Sequence, residues 1–428
     1  MSASITLFPA MRPDGVAETG AIWVGILDLD TIDESRTGTL PTVITLDGAE
    51  DHQTARLLVR QDEVVQGYVT LAVVGRTIDP VRLRSAIDAL PSGRTPTDPG
   101  EQPVSIVVCT RERPEQLREA LISILACTDS TSAAGNFEVV VVDNAPSTDA
   151  TRSVVESFSD PRVRYVLESR AGLSTARNAG LAAARHDIVA FTDDDVVVDR
   201  LWLRWLRRAF RDTPDAGCVS GLVPSGELRN DIQRYFDARV SWSKNLDRRE
   251  FRLSEPPANL PLFPFCVGEF GTGANFAVRR SALLRLGSFD PALGVGTRTR
   301  GGEDIDIFVR ILRAGQALVM EPSAVVWHRH RADLPALRAQ AVGYGTGLGA
   351  WLAKIALQPA TLVMALRRVP VAFGPLLAKR MTTVDSSERL EITTEMRRMR
   401  RVEMSRVLVG PFMLARERFD RLTEKRRP

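Results

Sequence analysis

Between residues 104 and 192 the chain alternates short apolar runs with longer segments whose apolar residues recur at helical spacing. The runs cover 104–108, 137–142, 163–167 and 188–192, and the helical segments lie near 114–126, 149–158 and 174–184. Strands that alternate with covering helices form a parallel sheet, because each helix returns the chain to the edge where the previous strand began. The pattern predicts an α/β fold built on a doubly wound, mostly parallel sheet.

A proline-rich segment precedes this alternation and divides the chain. Residues 91–103 hold four prolines and two glycines, which break regular structure, and 428 residues exceed one average domain. Before this segment, alternating and β-branched runs predict a small β-rich domain with a hairpin at Asp47-Gly48. We therefore expect four parts: a β-rich accessory domain (1–95), a linker (96–103), the sheet domain (104–335) and a helical C-terminal extension with a basic tail (336–428).

The charge distribution argues against a nucleic-acid partner. The formal net charge is only +3, although residues 397–428 hold 11 Arg or Lys against four Asp or Glu. The four cysteines lack CxxC or Cys/His spacing, which predicts reduced thiols and no zinc site. The N-terminus lacks the basic-then-apolar layout of a signal peptide, so we expect a cytoplasmic protein.

Three consecutive carboxylates, Asp193-Asp194-Asp195, directly follow the fourth apolar run. One interpretation is a solvated acidic turn; the other is a site for Mg²⁺ or Mn²⁺ that holds a diphosphate, because clustered carboxylates need a compensating cation. Polar pairs, Thr110-Arg111 and Asp143-Asn144, also follow the first and second runs. Ligands bind beyond the carboxyl ends of strands in such sheets, so we expect one crevice here.

Each of these residues has a functional and a structural interpretation. Thr110 and Arg111 offer a hydroxyl and a cation to a base and phosphates, or form a plain helix N-cap. Asp143 accepts the ring N–H of a pyrimidine or guanine base, or caps the following helix. Arg177, on the helix before the triplet, meets a phosphate or lies on a solvated face. Taken together, they are candidate donor-binding residues.

Five short motifs in this order resemble family 2 glycosyltransferases of the GT-A fold. They are VSIVVCTR at 104–111, VVVDN at 140–144, GLSTARNAG at 172–180, FTDDD at 191–195 and GEDID at 302–306. Each motif alone is weak, but five in the family's order and spacing make chance similarity improbable. The resemblance covers about 103–335 and implies a nucleotide-sugar donor, a divalent metal (Mn²⁺ or Mg²⁺) and inversion at the anomeric carbon.

The resemblance also implies roles for single residues. Asp195 would bind the metal that bridges the two phosphates. Asp193 would contact the ribose or a metal-bound water, which makes it a candidate for both donor and metal binding, and Asp194 would count among the donor-binding residues. Glu303-Asp304 resembles the family's ED element, with Asp304 as the general base; helix capping is the alternative for Asp304.

Further residues are assigned with less support from the motifs. His328 resembles a histidine that completes the metal site, or it is structural, and we rank His330 below it. The glycines of 271–278 either flank an acceptor or permit tight packing. Asp306 and Arg310 are interpreted as helix-surface or fold-supporting charges.

The expected function is transfer of one sugar from a nucleotide-diphosphate sugar, a UDP-sugar favoured, to a hydroxyl of a glycan or lipid-linked acceptor. Polymerising members of the family usually carry a QxxRW-type element, and this sequence contains none. A non-enzyme alternative is an inactive sugar-binding or membrane-docking module. A metal-dependent phosphohydrolase also fits Asp193-x-Asp195-x-Val197, but that chemistry expects its aspartate strand first in the domain.

The region after residue 335 reads as helical. The glycine-dense run 343–349 lacks a GxGxxG layout after a strand, which favours close helix packing or an acceptor-side loop over dinucleotide binding. Residues 355–377 are apolar but interrupted by Arg367-Arg368 and three prolines, so we predict no transmembrane helix. These helices either pack on the sheet domain or rest, with the basic tail, on an anionic leaflet at the inner face of the cell membrane.

Overall fold

The computed structural model describes residues 4–32, 40–91, 94–98, 100–127, 136–266, 268–368 and 394–424. The strands are β1 Ser4–Leu7, β2 Ile22–Asp28, β3 Val43–Leu46, β4 Thr54–Gln61, β5 Val64–Ala72, β6 Thr77–Ile78, β7 Val104–Thr110, β8 Phe137–Asn144, β9 Val163–Glu168, β10 Ile188–Thr192, β11 Val196–Val198, β12 Ala216–Leu222, β13 Arg249–Phe251, β14 Asn275–Arg279 and β15 Ala317–His328. The helices are α1 Leu29–Ile32, α2 Pro80–Asp88, α3 Pro114–Leu125, α4 Ala150–Ser157, α5 Leu173–Ala183, α6 Trp202–Asp212, α7 Asp231–Arg239, α8 Arg280–Arg285, α9 Glu303–Arg313, α10 Leu334–Ala356, α11 Pro359–Arg368, α12 Thr394–Val407 and α13 Gly410–Glu424. The sequence predictions for 369–377 and 425–428 lie outside the described residues.

The predicted α/β class, a mostly parallel central sheet followed by a helical region, is confirmed. The central sheet has nine strands in the order β11-β15-β12-β14-β10-β7-β8-β9, with β13 paired to β15. The four strands predicted from the alternation, β7 to β10, pair only in parallel with one another. Antiparallel pairing enters with β14, which lies between β10 and β12. The strands β8 and β10, which are mostly apolar, are buried along their whole length, as covering helices on both faces require.

The N-terminal region forms two three-stranded sheets, β1-β3-β6 and β2-β4-β5. The hairpin predicted at Asp47-Gly48 is wrong: a turn forms there, but β3 and β4 belong to different sheets. The tight hairpin joins β4 and β5 instead, and its turn residues Asp62 and Glu63 both have positive φ, of 49° and 65°. The β-rich character is as expected, whereas the domain boundaries drawn from the sequence stay predictions.

A buried ion pair and a hydrogen bond join the β2-β4-β5 sheet to the region around β11 and α6. Arg60 of β4 pairs at 2.7 Å with Asp28 of β2 and at 2.7 Å with Asp199, which follows β11. The Trp205 ring nitrogen of α6 donates to the Glu63 carbonyl at 3.0 Å. Removing one member of such a buried charge pair is costly because the other charge stays desolvated.

The C-terminal helices pack closely because α10 is rich in glycine. A Cβ at Gly345 or Gly349 would clash with α12, and one at Gly347 would clash with Gly301. The glycine run therefore serves helix packing, one of its two predicted uses. Among the described residues no single helix has the length and apolarity to cross a bilayer; the pair α10 and α11, bent by 111°, would reach that threshold only together.

Candidate functional site

Three neighbouring parallel strands end at one edge of the central sheet. β7 pairs with β10 on one side and β8 on the other, and Thr110 at the end of β7 lies opposite Asp143 of β8. β10 ends at Thr192, so residues 193–195 follow it directly. The strand ends that the sequence predicted to form one crevice therefore do lie side by side.

Asp194 anchors the acidic turn through contacts with Thr110 and Arg113. Its buried carboxylate accepts hydrogen bonds from Thr110 Oγ1 at 2.8 Å and from Arg113 Nη1 at 3.0 Å. The same Arg113 nitrogen lies 3.0 Å from Asp195 Oδ2, so this guanidinium bridges two of the three aspartates. Burial and the neighbouring Asp195 raise the pKa of Asp194. Arg113 thus supplies one positive charge that compensates the clustered carboxylates.

Asp193, Asp195 and His328 form a cluster that suits a divalent metal. One ligand atom from each lies within 4.8 Å of the others, and His328 Nε2 is 3.3 Å from Asp195 Oδ1. His328 ends β15, whose pairing with β11 places it beside the acidic turn. Two carboxylates and an imidazole offer the hard oxygen donors that Mg²⁺ and Mn²⁺ prefer, together with one nitrogen. The residues fit such a metal.

The pKa values in this cluster reflect its crowding. Burial raises the pKa of Asp193 to about 6; the charge of Arg177 opposes this effect, and repulsion from Asp195 adds to it. Burial would also raise the pKa of Asp195, but His328 and Arg113 outweigh it and hold that pKa below its usual range. Burial would lower the pKa of His328, yet the two aspartates outweigh it and raise that pKa.

Arg177 links the cluster of Asp193, Asp195 and His328, called the metal-type cluster below, to a second acidic pair, Glu303 and Asp304. Its buried guanidinium lies 3.6 Å from Asp193 Oδ1 and 3.1 Å from Glu303 Oε1, and it donates to the Gly273 carbonyl at 2.9 Å. The Glu303 side chain is only 7% exposed, and burial, then the charge of Asp304, raises its pKa to about 7. Arg177 lies beneath the crevice and not on a solvated helix face.

Asp304 is held in place by backbone donors. Gly273 N donates to Oδ2 at 2.9 Å and Ile305 N donates to Oδ1 at 2.8 Å. Gly302, which precedes α9 with a φ of 91°, takes a left-handed conformation that favours glycine. Asp304 carries no Arg or Lys within 4.0 Å in the described part of the chain, so its oriented carboxylate keeps acceptor capacity.

The predicted base-binding residues differ in accessibility. Asp143 is fully buried: Tyr165 donates its hydroxyl to Oδ2 at 2.9 Å, and within the described residues Oδ1 has no hydrogen-bond partner. Burial raises the pKa of Asp143. Arg111 is exposed, next to the crevice edge at Thr110. The donor contacts assigned to these residues stay predictions.

The sequence interpretation missed several residues of the site. The sequence interpretation gives Arg113 no role of its own, although its position directly before α3 and three residues after Thr110 was the available signal. Gly273 was seen only as one of several small residues, yet it contacts both Arg177 and Asp304. Nothing in the local sequence of Tyr165 indicates its bond to Asp143.

The lower-ranked residues have structural partners. The His330 ring packs on Phe236 with centroids 4.6 Å apart, and its pKa is lowered to about 3, chiefly by burial. Asp306 is buried and pairs with Lys354 at 2.9 Å and with Arg310 at 3.1 Å. These contacts agree with the fold-supporting interpretation of Asp306 and Arg310.

Comparisons with known proteins identify the family of this chain. The family model described as glycosyl transferase family 2 matches residues 105–287. The pre-mycofactocin glycosyltransferase of Mycobacterium tuberculosis is 31% identical over 252 residues, which are 59% of this chain and 48% of that protein. This chain thus spans about half the length of that relative.

Two further proteins are similar to this chain, one in sequence and one in structure. The succinoglycan biosynthesis protein ExoM of Rhizobium meliloti is 32% identical over 257 residues, 59% of this chain and 71% of that protein. A solved mannosyltransferase from Pyrobaculum calidifontis, in complex with GDP-Man and Mn²⁺, aligns with a TM-score of 0.48 and 21% identity, covering 74% of this chain and 88% of that one. On the family model and the ExoM similarity, the chain belongs to glycosyl transferase family 2.

Proposed function

We propose that this protein transfers a sugar from a nucleoside-diphosphate sugar, with a UDP-sugar as the favoured donor, to an acceptor hydroxyl with inversion at the anomeric carbon. One observation carries the proposal: the Asp193, Asp195 and His328 cluster is linked through Arg177 to the ED pair that contains Asp304. The first group suits the charge of a leaving diphosphate, and the second suits an acceptor proton.

Asp193, Asp195 and His328 would hold the divalent metal, Mn²⁺ or Mg²⁺. When bound, such an ion neutralises negative charge on the departing nucleoside diphosphate. Arg113 donates hydrogen bonds to Asp194 and Asp195 and so stabilises the conformation of the acidic turn. Thr110, Arg111 and Asp143 line the adjoining strand ends, where the base and ribose of the donor would lie.

Asp304 would act as the general base. The acceptor oxygen forms a bond to the anomeric carbon while the bond to the diphosphate oxygen breaks, and the hydroxyl proton passes to Asp304. Its two backbone hydrogen bonds orient the carboxylate before the substrate arrives, which lowers the entropic cost of the step. Glu303 would hold Arg177, and through it the spacing between base and metal-binding cluster.

The acceptor is proposed to be a glycan or a lipid-linked glycan, with one sugar added in each reaction. The name of the ExoM relative, a succinoglycan biosynthesis protein, supports a glycan acceptor. The absence of a QxxRW element from the sequence supports single transfer over processive synthesis.

Helix α13 supports a location at the inner face of the cell membrane. Its outward face carries Phe412, Phe419 and Leu422, which are 73%, 65% and 60% exposed, and the exposed cation Arg416 lies among them. Glu417 of the same helix is buried. A surface helix normally shows its polar side to water, so an outward apolar face with a cation suits an anionic lipid surface.

Calorimetric titration with nucleoside diphosphates, with and without Mn²⁺, tests the proposal. We expect one nucleotide to bind in a Mn²⁺-dependent manner, Asp195→Asn to lose this binding, and the exposed control Asp51→Asn to retain it. If no nucleotide binds to the wild-type protein under either condition, the transferase proposal fails and the sugar-binding alternative replaces it.

A further inference from the structure

A cavity of about 790 Å³ lies between the catalytic region and the C-terminal helices. Its walls come from residues 170–171 before α5, the loop 296–300 before α9, and the facing sides of α10, α12 and α13. This cavity has no role in the donor site described above. Its volume is within the range of small-molecule sites, so its lining decides what it can bind.

The lining is rich in arginine, and its two carboxylates are already paired. Asp420 lies 2.7 Å from Arg298, and Glu417 lies 2.9 Å from Arg421. The second oxygen of Glu417 accepts from the Arg298 backbone N–H at 3.0 Å. These acids therefore compensate two of the five arginines in the lining, Arg298 and Arg421. The other three are Arg170, Arg300 and Arg406.

The remaining arginines carry a net positive charge into the cavity. Within the described ranges, neither Arg300 nor Arg406 has a carboxylate within 4.0 Å, and both are exposed. Arg170 has Glu168 at 3.5 Å, but its side chain is 67% exposed, where such a pair contributes little. Arg300 also has a φ of 62°, a left-handed conformation that arginine rarely adopts and that often marks a functional position.

The position of the cavity connects it to the candidate base. Arg300 lies in the loop that leads through Gly302 into α9, and Asp304 is in the first turn of that helix. The same loop is tied to α5, because Leu173 N donates to the Val295 carbonyl at 2.8 Å. Arg300 thus precedes Asp304 by only four residues, which brings this wall of the cavity close in sequence to the candidate base.

We propose that the cavity is an acceptor subsite for an anionic group, a phosphate in the first place. Guanidinium groups match phosphate oxygens in charge and geometry, and Val342, Val409 and Met413 supply apolar lining beside them. The ligand is therefore a phosphate attached to a partly apolar molecule. This inference rests on the proposed function, because only an acceptor needs to reach Asp304 from this side.

Phosphate binding can be measured apart from donor binding. The thermal midpoint of the full-length protein is followed in EDTA as inorganic phosphate replaces chloride at constant ionic strength. We expect a saturable rise in the wild type, and an apparent affinity about tenfold to a hundredfold weaker in Arg300→Gln/Arg406→Gln, since each charge-assisted hydrogen bond contributes about a tenfold change. The control Arg285→Gln/Arg338→Gln removes two other exposed arginines and should bind phosphate like the wild type.

Two further measurements separate the possible sources of the phosphate. Repeating the titration without EDTA, in the presence of saturating nucleoside diphosphate and Mn²⁺, should leave phosphate binding intact; competition would show that phosphate occupies the donor site and would overturn the proposal. Binding to phosphatidylglycerol vesicles should be equal in the two double variants. A selective loss in Arg300→Gln/Arg406→Gln would assign the cavity to a lipid headgroup and overturn the acceptor assignment.

The remaining outcomes distinguish the cavity from the proposed function. Equal phosphate affinity in both double variants, or no saturable binding, overturns the cavity proposal even when Mn²⁺-dependent nucleotide binding is intact. Absence of nucleotide binding in the wild type instead overturns the proposed function and the acceptor assignment with it.

Discussion

Replacing Glu303 with glutamine should change how the stability of the fold depends on pH. Glu303 is buried, and within the described residues its Oε2 has no hydrogen-bond partner. Burial and the neighbouring Asp304 raise the pKa of its carboxyl from 4.5 to about 7. The folded protein therefore binds this proton more tightly than the unfolded chain does.

The sign of the effect follows from proton linkage. Between pH 4.5 and about 7 the folded state holds more protons at Glu303 than the unfolded state, so the free energy of unfolding falls as pH rises and levels off above about 7. The pKa of Glu303 is about 7 in the folded protein and 4.5 in the unfolded chain. At 1.36 kcal/mol for each pKa unit, this difference corresponds to roughly 3 kcal/mol of stability in total. Glutamine does not titrate and escapes this loss.

Urea denaturation in EDTA from pH 5 to pH 8 measures the effect. The stability of Glu303→Gln relative to wild type should rise by about 2 to 3 kcal/mol over this range, whatever its offset at pH 5. Glu138→Gln is the matched control: burial would raise the pKa of Glu138, but hydrogen bonds led by that from Ser105 outweigh it and lower that pKa, so its difference should stay flat above pH 5. A flat difference for Glu303→Gln as well would refute the argument.

Three further outcomes are expected. Asp304→Asn should lower the transfer rate by about 10²- to 10⁴-fold while calorimetry shows unchanged nucleotide affinity; weakened nucleotide binding would contradict its role as a base. Arg60→Met should reduce the free energy of unfolding by about 3 kcal/mol in denaturant titrations, because the buried Asp199 loses this ion pair and Asp28 keeps only its pair with Arg200; a change below about 1 kcal/mol would contradict this. Phe412→Ser/Phe419→Ser should weaken flotation with anionic vesicles at least severalfold, whereas Phe8→Ser, which alters an equally exposed phenylalanine in the N-terminal region, should not; equal flotation of both variants would remove α13 as the contact.

The sequence predicted the parallel part of the sheet well because its strands are buried on both faces. Such strands appear as continuous apolar runs, and the run predicted at 188–192 coincides with β10. Parallel strands also bring their carboxyl ends to one edge, which is why Thr110, Asp143 and the aspartate triplet could be grouped without a structure.

The sequence could not predict contacts that depend on the path of antiparallel strands and loops. β14 enters the sheet between β10 and β12 and brings Gly273, just before it, beside Arg177 and Asp304. The Asp47-Gly48 prediction failed for a related reason, since a turn dipeptide specifies a local bend but not the strand that pairs after it. Register and partner choice are decided by the whole core.

The support of the metal-type cluster reaches as far as the N-terminal region. Arg329 follows the candidate ligand His328, and its backbone N–H donates to the Asp195 carbonyl at 3.3 Å. Its guanidinium donates to the Arg12 carbonyl at 2.7 Å and lies 3.3 Å from Asp14. Residues about three hundred positions away in sequence thus hold the loop that carries His328. Residues that orient metal ligands affect metal affinity, so we expect these N-terminal contacts to influence the candidate metal site through the loop that carries His328.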